Sequence, residues 1–255
     1  MKARLAAVVM AFALSGCVIV PVDEAGRPIA TTPAPTPATV PMPQPSPNVQ
    51  ATPRAQAQSF AQLVRHMEPI IERQCLQRRT QAINCDYQFV VDDRPGQGVN
   101  AFQSLDSSGR PVIGFTLALI AEARNADEMA LVVGHEAAHH ILNHLDQKSS
   151  AASMGAIILG GLATAGGADE RTVRGVQNMG AEFATRYYSK DWELQADYLG
   201  AILVLNSGFD PVNGSRFFDR IPDPGEHMLG THPSRAQRQM QIRRAVEDYR
   251  SGRIS

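Results

Sequence analysis

Residues 135–144 read HEAAHHILNH and contain four of the chain's seven histidines. His135 and His139 stand four positions apart, so a fold that uses both on one target has to make this stretch a helix, with the two imidazoles one turn apart on one face. Glu136 then lies about 100° further round. Two imidazoles so placed can reach one tetrahedral ion, and the neighbouring carboxylate can hold a water against it. Three fixed residues in five recur by chance in many helices, so the surroundings have to decide. The alternative is a core helix with solvated histidines along its polar edge.

Leu131, Val132, Val133, Ala137, Ala138, Ile141 and Leu145 recur at spacings near three and four, and no proline interrupts them. Asn125 followed by Glu128 gives a capping-box start, so a helix is expected over about 126–146. On that helix His140 and His144 lack the one-turn relation to His135 that a ligand pair needs, and they are expected on its surface. A hydrolytic metal site also needs a third protein ligand. The segment SKDWELQADYLGAILVL, residues 189–205, offers Glu193 and Asp197 four apart on one helical face. Glu193 can bind the metal while Asp197, one turn on, accepts the N–H of a ligand imidazole. Alternatively, the two acids merely complement the helix macrodipole.

HEAAHHILNH, then ELQADYLGAILVLNSGFDP, then THPSRAQRQMQI occur in that order. Together they resemble the HExxH gluzincin endopeptidase family of the CAAX prenyl protease, HtpX, BepA and LoiP, in its periplasmic lipoprotein branch. The likeness extends upstream through YQFVVDD, Asn100 to Phe102, and VIGFTLAL, and so covers roughly residues 57–250. It implies one zinc ion per chain, held by His135, His139 and Glu193, with Glu136 as catalytic base and Asp197 as partner of a ligand. It also implies catalytic parts for His232 and Arg238, which could stabilise the oxyanion of a tetrahedral intermediate. Helix capping by His232 and a surface ion pair at Arg238 are the plainer alternatives. The implied fold is α+β, mainly helical: a zincin-like metalloprotease domain with a small β-sheet beside the active-site helix. The implied activity is zinc-dependent endopeptidase action on misfolded or unassembled envelope proteins. Two other readings stay open, a lipoprotein chaperone or assembly factor that cleaves little, and a zinc hydrolase of the cell wall.

The N-terminus reads as a processing signal. Lys2 and Arg4 precede an apolar run from Leu5 to Leu14 that is too short to span a bilayer. It ends in Leu14-Ser15-Gly16-Cys17, which resembles a lipobox, so residues 1–16 are expected to be a lipoprotein signal peptide and Cys17 a lipid-anchored residue. Val18 stands where an aspartate would retain the protein at the inner membrane, which favours the outer membrane, on the periplasmic side. Ten of the seventeen prolines lie between Pro21 and Pro53. Residues 17–54 are therefore expected to be a disordered tether of about 100 Å reach when fully extended, leaving 55–255 as the metalloprotease domain. A net charge of −1 without a basic cluster argues against a nucleic-acid partner.

Within the domain, Cys75 and Cys85 are expected to pair in an oxidising compartment, and metal binding is disfavoured by their spacing. A first helix is expected over about 56–79, with Phe60, Leu63, Val64, Met67, Ile70 and Ile71 on one side and a kink at Pro69. Residues 87–91 and 110–115 read as strands. Residues 151–167, apolar and rich in glycine, fit either a cover for the cleft or a buried small-residue helix.

Overall fold

The computed structural model describes residues 53–221 and 233–254. The leader, Cys17 and His232, with all but the last residues of the tether, lie outside the described residues. Helix α1 (Pro53–Arg78) buries Phe60, Leu63, Val64, Met67 and Ile71, while Ile70 is only partly covered. It continues through Pro69, which sits on the exposed side, where the missing N–H leaves no buried carbonyl unpaired. Cys75 and Cys85 form a disulfide that ties the last turn of α1 to the chain entering the sheet.

Strands β1 (Gln88–Asp92), β2 (Ala101–Leu105) and β3 (Pro111–Thr116) form one sheet in the order β1-β3-β2. β1 runs parallel to β3, with Phe89 opposite Ile113, and β2 runs antiparallel to it, with Gln103 opposite Ile113. β3 is central and its inner residues are nearly all buried, so it reads as a continuous apolar run. β2 was not expected as a strand. AFQSL lacks an alternating pattern, and its pairing is set by the turn in which Asp106 accepts from the backbone of Ser108 and Arg110. β3 leads directly into α2 (Leu117–Glu122), capped by the Thr116 hydroxyl.

Helix α3 (Ala126–Ile141) starts at Asn125, whose side chain accepts from the Glu128 amide. The Glu128 carboxylate reaches the Arg124 amide rather than that of the cap, and it pairs with Arg220 while only 2% exposed. The helix stops five residues before the expected end. Asn143 adopts a left-handed conformation (φ 57°, ψ 39°) that asparagine tolerates better than most residues, and α4 (His144–Ala165) sets off in a new direction.

Helix α4 folds back on the 37-residue α5 (Glu170–Asn206). Gly155 and Gly180 let the two backbones touch, since a Cβ on Gly155 would lie 2.1 Å from the Gly180 carbonyl oxygen. The apolar segment is thus helical, but its reading as a buried helix is corrected, since Gly160 is the one buried residue of 151–167. Met154, Ile157, Ile158 and Leu162 point outward. Among the described residues no helix is long and apolar enough to cross a membrane. A short helix α6 (Pro211–Gly214) and a 3-10 turn (Ser215–Asp219) then lead towards α7 (Arg235–Arg250). Pro233 directly precedes Ser234, the residue that caps α7. The result is a mainly helical α+β domain whose core joins α1, β3, α3, α5 and α7.

Arg220→Ala leaves the Glu128 carboxylate buried without its main counter-charge, and should cost about 3–5 kcal/mol of stability in urea denaturation.

Candidate metal centre

The site begins where α3 crosses α5. A Cβ on Gly134 would lie 2.8 Å from the Gly200 carbonyl oxygen, and one on Gly200 would lie 2.9 Å from the His135 amide. The two backbones are therefore in contact, as only glycine permits. Counting back from Gly200 along α5, Asp197 and Glu193 lie about one and two turns away on the same face, so this contact delivers both carboxylates to His135.

His135 Nε2 and His139 Nε2 are 3.0 Å apart, and each is 3.4 Å from an oxygen of Glu193. His135 faces Oε2 of Glu193 and His139 faces Oε1, and one ligand atom from each of the three residues lies within 4.8 Å of the others, close enough to share one ion. Two imidazole nitrogens that face each other so closely also need a proton or a cation between them. Two imidazoles and a carboxylate, with a fourth direction open to a cleft, are a donor set for zinc.

Behind His135, its Nδ1 donates to Asp197 Oδ1 at 3.0 Å. Asp197 is fully buried and receives two further hydrogen bonds from Arg238 of α7, Nε to Oδ2 at 2.8 Å and Nη2 to Oδ1 at 2.6 Å. Burial opposes the charge on Asp197, but Arg238 and His135 outweigh it and hold the carboxyl below its usual range. Burial likewise works against a charged His135, yet the hydrogen bonds to Asp197 and Glu193 prevail and carry it up to about 10. Arg238 also lies over the Phe218 ring at 4.0 Å. The structure thus corrects the plainer reading of Arg238: it is not a surface ion pair but a largely buried partner of Asp197 that also borders the cleft.

Behind His139, its Nδ1 is 2.8 Å from His144 Nδ1. His144 is 4% exposed and His140 6%, which overturns their expected place on the surface. The physical reason is the helix end at Ile141. Past Asn143 the chain turns and folds His144 back against His139, whereas a helix continued to 146 would have pointed it elsewhere. His140 meets the Asn84 carbonyl at 2.6 Å and the edge of Tyr87. Burial, with the neighbouring His139, pushes His144 down to about 4.

Glu136 lines the cleft beside the three ligands, and burial raises its carboxyl above the ordinary range. A cavity of about 620 Å³ opens on one side, walled by Val99, Ala101, Leu119, Leu131, Phe217 and Phe218. A second, of about 490 Å³, lies on the other side, with Gln103, Lys148 and Trp192 in its wall. Glu136, His139 and Glu193 border both. β2 contributes Ala101 to the first and Gln103 to the second, so the strand runs along the whole cleft. His232 lies outside the described residues.

Residues 57–246 match the family model described as Peptidase family M48. The chain is also similar to mitochondrial metalloendopeptidase OMA1 of Arabidopsis thaliana, 28% identical over 131 residues, which cover 50% of this chain and 26% of that protein.

Asp197→Asn removes the charge that backs His135 and should weaken zinc binding about 10–100-fold, measured by competition with a chelator. Because the metal-free protein holds a proton on His135 well above neutrality, metal uptake displaces that proton. Apparent zinc affinity should then rise with pH, by up to about tenfold per unit between about pH 6 and 8. The same chelator titration repeated across that range checks the sign, and a flat profile would refute it.

Proposed function

The chain belongs to peptidase family M48 and is a metalloendopeptidase, and from that premise we propose that it uses zinc to cut unfolded or unassembled proteins of a bacterial cell envelope. The observation that carries the reading is Glu136, a carboxylate in the cleft beside three converging ligands. A protein that only bound other chains would have no need of a base there.

When bound, zinc polarises the scissile carbonyl and brings the pKa of a water towards 7. Glu136 takes that water's proton on its carboxylate and later delivers it to the leaving amine. Its raised pKa brings it closer to the working pH, where a general base is most effective. Asp197, held by Arg238, keeps His135 in the tautomer whose Nε2 faces the ligand cluster. The outer edge of β2 can pair with an extended chain through main-chain hydrogen bonds, which bind with little regard to sequence. The apolar wall of the larger cavity accepts hydrophobic side chains, which unfolded proteins expose and folded ones hide. Placement in the envelope rests on the leader, Cys17 and the proline-rich tether.

Purified wild type should carry zinc and cleave a chemically unfolded, alkylated protein while sparing its folded form. Glu136→Gln should keep the metal and lose about 10²–10⁴-fold in rate. Equal activity in the two, or none in a zinc-loaded wild type, would sink the peptidase reading. Separately, Cys17→Ser should move the protein from the membrane to the soluble envelope fraction.

A further inference from the structure

A ligating imidazole nitrogen has to present its lone pair to the metal, so the ring proton sits on the other nitrogen and needs an acceptor. For both histidines the nitrogen facing the ligand cluster is Nε2. His135 has Asp197 as acceptor for its Nδ1 proton. For His139, the group within hydrogen-bond reach of Nδ1 is another imidazole nitrogen, His144 Nδ1 at 2.8 Å.

Two ring nitrogens at that distance share one proton. With His139 Nε2 turned to the ligand cluster, the proton belongs to His139 Nδ1, and His144 Nδ1 has to accept it. The proton of His144 then lies on its Nε2, where Gln195 Oε1 stands 3.3 Å away as acceptor. Each nitrogen and oxygen in this chain has one role, and the roles agree.

We propose that His144 is the positioning residue of the second metal ligand: its Nδ1 accepts the proton of His139 Nδ1 and so fixes the tautomer and ring orientation that turn His139 Nε2 towards the metal. The inference rests on the metal-centre reading of His135, His139 and Glu193, and it deepens that reading. The device depends on the chain reversal at Asn143, where the amide donates to the His140 carbonyl at 2.9 Å and the left-handed residue returns His144 to the side of His139. Helix α5 closes it, because the element that carries Glu193 also carries Gln195 and Asp197. One helix therefore supplies a ligand and a restraint for each of the other two.

The test compares His144→Phe, which keeps a ring against Trp192 but offers no acceptor, with His144→Asn, whose Oδ1 stands near the lost Nδ1. Both are made in the full chain, and zinc affinity is read by chelator competition without substrate, so that failure of the peptidase reading stays separate. The visible spectrum of the cobalt-loaded protein reports ligand geometry. The Phe variant should bind zinc about 10–100-fold more weakly and show an altered cobalt spectrum. The Asn variant should recover most of that affinity and the wild-type spectrum. Wild-type binding by the Phe variant, or equal losses in both, would overturn the proposal and leave His144 as packing alone. Should the Phe variant fail to fold by circular dichroism, Gln195→Met decides: a smaller loss in the same direction supports the relay, and unchanged affinity refutes it.

Discussion

The buried carboxylate of Asp197 is the constraint on which the rest of the site depends. A charge with no exposure to water costs several kcal/mol unless its oxygens are fully engaged, and here three hydrogen bonds engage them. The donors come from α3 and α7, the acceptor from α5, so satisfying one carboxylate fixes three helices relative to one another. It also explains why α3 and α5 meet at Gly134 and Gly200. With a side chain at either position the backbones would stand apart, and the hydrogen bond from His135 to Asp197 would lengthen first. Arg238 is held in turn by the face of Phe218, which lines the larger cavity. Metal ligation, helix packing and one wall of the cleft thus share a single network.

The parts of the site that the sequence made legible are those set by helical periodicity. His135 and His139, then Glu193 and Asp197, are pairs at four-residue spacing, and a helix places such pairs on one face whatever surrounds it. Asn125 as a cap and the Cys75–Cys85 pairing are equally local matters. The misses all involve partners distant in sequence or a single backbone exception. Nothing near Arg238 says that its guanidinium will meet a carboxylate 41 residues earlier. The burial of His140 comes from Asn84, 56 residues upstream. The reversal at Asn143 requires one left-handed residue in a stretch whose apolar pattern runs on to Leu145, so periodicity carried the expected helix past its true end. An asparagine just before the fourth histidine was the one available signal.

The α4–α5 hairpin shows the same division. Its glycines were readable as small residues, but which partner they would meet was not. The contact of Gly155 with Gly180 spends the small side of α4 on α5, and this turns the large side outward, with Ile157 72% exposed. The outward apolar side is therefore a consequence of how the hairpin packs, and packing alone does not assign it a ligand.

The two histidine ligands end up unequally backed. His135 leans on a carboxylate that is itself fixed by an arginine, whereas His139 leans on a neutral imidazole whose far nitrogen meets an amide. A carboxylate partner increases the electron density that an imidazole can offer a metal more than a neutral acceptor does. His135 is accordingly the stronger donor. His139 is oriented without added negative charge. Glu136, which follows His135 in the chain and borders the same cleft as His139, works in the field of these ligands and of Arg238. A second carboxylate behind His139 would add negative charge near a base that burial already makes reluctant to ionise, and would push its pKa further up. A neutral imidazole at position 144 orients the ligand while leaving the proton affinity of the base to be set by burial and by the metal.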